Sequence, residues 1–73
     1  MPSNREPTIV LNGEQYALSS QRVSVAQLVA ELKLKPTRVA VEINREIIGK
    51  SLYATTFFKA GDTVEIINFV GGG

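Results

Sequence analysis

The chain has 73 residues, eight Lys and Arg against seven Asp and Glu, a net charge of +1 and a hydrophobic fraction of 44%, which together describe one small globular domain. Cys and His are both absent, which excludes disulfides, thiolate and imidazole metal sites, and any catalytic site built on a Cys nucleophile or a His base. The balanced charge excludes a dedicated nucleic-acid binder, and apolar runs of no more than three residues fall far short of the about 20 that a membrane helix needs.

Residues 1–7 are polar with two prolines and read as a loose, flexible N-terminal arm. They carry no apolar stretch behind their charge, unlike a signal peptide. With the lack of Cys, this fits the cytoplasm as the compartment. Thr8-Ile9-Val10-Leu11 reads as a strand. Asn12-Gly13 follows, a strong hairpin signal, because a type I′ turn needs positive φ at both central residues. Residues 14–18 read as the returning strand, with Tyr16 and Leu18 on one face.

Residues 24–32 read as the helix. Ser24 and Gln27 are spaced as a capping box, and Val23 and Leu28 as a hydrophobic staple. Val25, Leu28, Val29 and Leu32 follow the i, i+3, i+4, i+7 spacing of one apolar face. Lys33 and Lys35 suit the negative helix end, and Pro36 stops continuation. Residues 38–43 alternate as a half-buried strand, Asn44-Arg45 reads as a turn, and Glu46-Ile47-Ile48 as a short strand ended by Gly49. Residues 50–59 have no clean period and read as a short helical turn or packed loop. Ala60-Gly61-Asp62 is a turn, and residues 63–70 form the most β-branched strand. Its adjacent Ile66 and Ile67 are apolar on both faces, as in a central strand.

Strand, strand, helix, strand, short strand, long strand is the order of the ubiquitin-like β-grasp, an α+β fold with one main helix on a mixed four- to five-stranded sheet. The helix face is expected to pack on a sheet containing Val10, Val41 and Ile66, with the last strand internal and beside the first. The domain spans residues 8–70, with residues 71–73 as a flexible tail.

Few residues offer chemistry. The carboxylates Glu6, Glu14, Glu31, Glu42, Glu46, Asp62 and Glu65 are scattered, as solvated surface charges are. Asp62 suits shaping its own turn. Lys33, Lys35 and Arg38 make a small basic group that serves the helix end or docks an acidic partner. Gly13, Gly49 and Gly61 fit turns and match no phosphate loop. Ser24 has no base beside it and reads as a cap. Tyr16, Tyr53, Phe57 and Phe58 read as core.

The exception is Gly71-Gly72-Gly73, half of the chain's six glycines in its last three positions. Folding gives no reason to follow a strong strand with the residues that lose most backbone entropy. A frayed end and a cut linker are the plain readings. The functional one is an arm bearing a carboxylate, reaching about 10 Å when extended. Glycines pass a channel in which a Cβ would clash. The carboxylate is ionised at neutral pH and must be activated, for instance as an acyl-adenylate, before sulfur can attack it.

Phe69-Val70-Gly71-Gly72-Gly73, preceded by Ala60-Gly61-Asp62-Thr63-Val64-Glu65-Ile66, resembles the ThiS sulfur carrier family of thiamin biosynthesis. Asn12-Gly13-Glu14, Val39-Ala40-Val41-Glu42-Ile43-Asn44 and Glu46-Ile47-Ile48-Gly49-Lys50 match its pattern too, so the resemblance covers residues 8–73. Arg45 departs from it, standing where many relatives carry Gly, and the arm is longer than usual.

The resemblance implies a protein co-substrate rather than an enzyme, with no bound cofactor and no metal. A ThiF-like enzyme would adenylate the Gly73 carboxylate with Mg-ATP. A cysteine desulfurase, directly or through a sulfur relay protein, would supply persulfide sulfur to give a thiocarboxylate. A ThiG-like thiazole synthase would then take that sulfur. Gly71, Gly72, Phe69 and Val70 would contact these partners. Three other readings share parts of the pattern: a MoaD-like molybdopterin-synthase small subunit, a ubiquitin-like modifier joined to lysine, and a plain β-grasp interaction module resembling a TGS domain.

Overall fold

Strands β1 (Thr8–Leu11) and β2 (Glu14–Ala17) precede helix α1 (Val25–Glu31), which is followed by β3 (Val39–Ile43), β4 (Glu46–Ile48) and β5 (Thr63–Asn68). The coordinates are a computed structural model that describes residues 7–69. The strands form one five-stranded sheet in the order β2-β1-β5-β3-β4. β1 and β5 run parallel, and the other neighbours are antiparallel. The last strand is internal and lies beside the first, as its composition suggests.

The helix starts where its caps dictate. The Gln27 N–H donates to Ser24 Oγ at 3.1 Å, and the Ser24 N–H donates to Gln27 Oε1 at 2.8 Å. The remaining early donors are met by the loop after β4: the Val25 N–H reaches the Thr56 carbonyl and the Ala26 N–H the Tyr53 carbonyl, each at 2.9 Å. The buried N-terminal end of the helix is thereby stitched to the loop after β4. At the other end the Lys33 N–H donates to the Ala30 carbonyl and the Leu34 N–H to the Val29 carbonyl, with Lys33 at φ 62°. This is a Schellman motif with Lys in the left-handed position that Gly usually fills. Lys33 therefore ends the helix through its backbone, and no basic residue lies in the last turn of α1.

The core is the apolar face of α1 against one face of the sheet. Val25, Leu28 and Val29 are fully buried and meet Ile9, Val39, Val41, Val64 and Ile66, with Val23, Tyr53 and Phe58 closing the sides. Each such side chain contributes about 1.5–3 kcal/mol. Two expectations need correction. Ile9, not Val10, is the core residue of β1: the strand's inward positions are Ile9 and Leu11, and Val10 is only half-buried. Ile67 is not buried either, since the helix covers only one face of the sheet and Ile67 lies on the other, 56% exposed. β5 is central in its pairing but one-sided in its burial. It also stops at Asn68 rather than at residue 70, and Leu32 is only partly buried beyond the end of α1.

The expected turns are present. Asn12 and Gly13 have φ of 50° and 85°, and Asn44 and Arg45 have 51° and 73°. Both hairpins thus use two left-handed residues, although the second offers no glycine. Residues 50–59 begin with a 3-10 turn at Lys50–Leu52 and continue as packed loop. Tyr53 and Phe58 are core residues as expected, Tyr16 is only partly buried, and Phe57 is half-exposed with the Arg22 guanidinium 3.8 Å above its ring. The N-terminal arm lies, except for Pro7, outside the described residues. The Pro7 carbonyl accepts the Leu18 N–H at 2.8 Å.

Candidate functional site

Of the residues expected to carry function, Phe69 is described. Val70, Gly71, Gly72 and Gly73 lie outside the described residues. The site is therefore built from the strand that leads to them. β5 sits between β1 and β3. Its ladder with β3 runs from Ile43 opposite Val64 to Val39 opposite Asn68, and the Phe69 N–H adds a further bond to the Arg38 carbonyl at 2.7 Å. Pairing on the β3 side thus continues to the last described residue.

The β1 side is held differently. The β1–β5 register covers only Val10 with Thr63 and Leu11 with Val64, after which β1 turns away. The Asn12 N–H still donates to the Val64 carbonyl at 2.8 Å. Beyond that point the Asn12 side chain takes over. Its Oδ1 accepts the Ile66 N–H at 2.8 Å, and its Nδ2 donates to the Ile66 carbonyl at 3.2 Å. Asn44, in the other hairpin turn, holds the start of β5: its Oδ1 accepts the Thr63 N–H at 2.9 Å and its Nδ2 donates to Asp62 Oδ1 at 3.0 Å. Asp62 is buried, and its Oδ2 accepts the Lys59 N–H at 2.8 Å. It shapes its turn, as its position suggests. The two amide clamps are not read from the sequence, where each Asn accounts for its turn alone. The signal available was an Asn, with both donor and acceptor, at the first position of both turns.

The sheet face opposite α1 carries an apolar patch. Ile67 pairs across from Ala40, and Ile47 pairs across from Glu42. Ile47 is 72% exposed and Phe69 55%. Alternation places Phe69 on the same face as Ile67. Glu42 and Glu65 stand opposite each other on this face, in the cross-strand row that starts at Ile47 and so between Ile47 and the strand of Ile67, an arrangement that costs stability in an isolated sheet. The exposed Lys35 and Arg38 lie in the segment entering β3, at the Phe69 end of the sheet.

Other features fall away from this end. A hollow of about 220 Å³ between the β3–β4 hairpin and residues 56–59 adjoins Asn44 and Asp62 at the start of β5, the opposite end from Phe69. Among the described residues no group of three or more acidic side chains could hold a metal ion, and no helix is long and apolar enough to cross a membrane. Glu31, on the helix, accepts Tyr16 Oη–H at 2.7 Å and Ser19 Oγ–H at 3.0 Å. That hydrogen bond, then burial and then the Glu31 charge raise the Tyr16 pKa above its ordinary value. Burial raises that of Tyr53. Both tyrosines are structural.

Residues 6–73 match the ThiS family. The chain is 38% identical over 63 residues to the sulfur carrier protein ThiS of Bacillus subtilis (strain 168), covering 86% of this chain and 96% of that protein. The chain belongs to the ThiS family. Membership in the ThiS family makes it a carrier, not a catalyst. The crystal structure of the thiamine biosynthesis protein (ThiS) from Geobacter metallireducens superposes with a TM-score of 0.76 at 31% identity, covering 90% of this chain and 99% of that one. One helix on a mixed five-stranded sheet is thus the β-grasp of ThiS structures. A thiazole synthase of Paramagnetospirillum magneticum is 43% identical over 65 residues, 89% of this chain, which spans only 20% of that protein's length.

Proposed function

We propose that this chain is the sulfur carrier for thiazole formation in thiamin biosynthesis, and that it works in the cytoplasm with the Gly73 carboxylate as the carrying group. The observation that supports it most is the placing of the glycines. In sequence they come shortly after the central strand, and Phe69, the residue next after that strand, is hydrogen-bonded to Arg38 and is itself exposed. A strand end paired to its neighbours and an exposed apolar face, followed in sequence by three glycines, suit delivery of the Gly73 carboxylate into another protein's active site.

The chemistry begins with a carboxylate, which is a poor electrophile. A ThiF-like enzyme with Mg-ATP joins it to AMP and releases pyrophosphate. The terminal sulfur of a persulfide, formed by a cysteine desulfurase or passed on by a relay protein, displaces AMP and gives an acyl disulfide. A thiol then cleaves the S–S bond and leaves the thiocarboxylate. A ThiG-like synthase receives that sulfur; the likeness to two proteins described as thiazole synthase supports this partner. The Ile47, Ile67 and Phe69 patch would rest on these enzymes while Gly71 and Gly72 thread the channel.

The test is intact-protein mass spectrometry after incubation with the activating enzyme, Mg-ATP and a sulfur source. Wild-type protein is expected to gain sulfur in place of one oxygen. Deletion of Gly73, or a C-terminal tag, is expected to abolish the gain while leaving thermal stability unchanged. Conjugates on lysine instead of a sulfur-bearing terminus would overturn the reading in favour of a protein modifier.

A further inference from the structure

We propose that Asn12 is a positioning residue for the tail: its side-chain amide replaces a missing strand beside β5 and fixes the segment from Ile66 to Phe69 that leads into the glycines. This rests on the carrier reading above. The geometry follows from the ladder rules. In a parallel pair continuing past Leu11 and Val64, the Ile66 N–H would donate to a main-chain carbonyl of the neighbouring strand, and the Ile66 carbonyl would accept an N–H two residues further along that strand. Asn12 prevents this continuation, because its φ of 50° turns the chain into the β1–β2 hairpin. Its own amide fills both vacated places, accepting from the Ile66 N–H and donating to the Ile66 carbonyl. One residue thus ends β1 and substitutes for its extension.

The position of the clamp gives it consequence. Backbone groups of β5 alternate between its two neighbours. Residues 65, 67 and 69 bond towards β3, as the Phe69 N–H to Arg38 shows, and 64 and 66 bond towards β1. On the β1 side Ile66 is the last residue of β5 with a described partner. Without Asn12, the end of β5 is secured along one edge only, and docking must order what the fold no longer does. Asn44 provides an internal comparison. It is also the first residue of a hairpin turn, and it also clamps β5 through its amide, but at Thr63, the end remote from the tail.

The experiment compares Asn12→Gly, Asn12→Asp and Asn44→Gly with wild type in the sulfur-loading assay, at a temperature where circular dichroism shows all four folded. Gly keeps the positive φ of each turn and removes only the side chain. Asp keeps the turn and the acceptor for the Ile66 N–H but loses the donor. In Asn12→Gly, loss of the two bonds is expected to speed Ile66 amide exchange about tenfold relative to Ile67 and to lower kcat/KM for loading about tenfold through KM. Asn12→Asp is expected to fall between Asn12→Gly and wild type. Asn44→Gly is expected to lower the melting temperature comparably and leave kcat/KM unchanged. Wild-type loading kinetics in Asn12→Gly, or equal slowing in Asn12→Gly and Asn44→Gly, would overturn the positioning role alone. If wild-type protein takes up no sulfur, the carrier reading falls and the positioning role with it.

Discussion

Arg45 occupies the second position of a type I′ turn at φ 73°, a left-handed conformation that favours Gly. Replacing it with Gly is expected to stabilise the protein. A non-glycine residue in the left-handed region costs about 1–2 kcal/mol. Glycine relieves this but gives the unfolded chain extra freedom, worth about 0.4–1 kcal/mol. At the midpoints of these ranges the net gain is about 0.8 kcal/mol. Arg45 is exposed, and among the described residues no hydrogen bond or ion pair of its side chain offsets that gain. For a domain of this size, such a change raises Tm by about 2–8 °C. Thermal and urea denaturation of Arg45→Gly measure it, with Arg45→Ala as the control. Ala retains the Cβ that causes the strain and is expected to leave Tm nearly unchanged. A lower Tm for Arg45→Gly, or equal stabilisation by Ala and Gly, would refute the argument from backbone strain.

Leu28, on the apolar face of α1, is fully buried; Leu28→Ala is expected to cost about 2–5 kcal/mol in urea denaturation, much of the stability of so small a domain. Tyr16 donates to Glu31 and its pKa is raised in the folded state. That contribution is therefore present below the unfolded-state value of about 10 and is lost as pH rises through the folded-state value. The fall in stability above pH about 10 is expected to be shallower in Tyr16→Phe, measured by denaturation across alkaline pH. Ile67→Ala removes exposed surface, so Tm is expected to change little, within about 0.5 kcal/mol of stability. Its KM with the activating enzyme is expected to rise, and an unchanged KM would remove Ile67 from the docking face.

The elements written in local chemistry were legible. Asn12-Gly13, the Ser24–Gln27 box and the alternation of Val39, Val41 and Ile43 each specify backbone geometry through neighbours in sequence. What was not legible depends on partners far along the chain. The choice between Ile9 and Val10 as the core residue is a matter of register, set when β1 meets β5 and β2, and a one-residue shift exchanges faces. The exposure of Ile67 depends on the other sheet face having no helix, which a β-branched run does not reveal. The Asn12 clamp joins residues 54 positions apart. For the candidate site, the identity of the glycine tail was plain in sequence. The way its root is held, by Arg38 on one side and Asn12 on the other, was visible only once the sheet was assembled.

The central claim is that sulfur travels on Gly73. It is tested most directly by loading the protein with isotopically labelled sulfur, removing the loading enzymes, and supplying it to thiazole synthase as the sole sulfur source. The account predicts label on the C-terminal residue by fragment mass spectrometry, and then the same label in the thiazole ring with return of the unmodified terminus. Thiazole formation from protein whose C-terminus is capped by a tag, or label that never leaves the carrier, would contradict it.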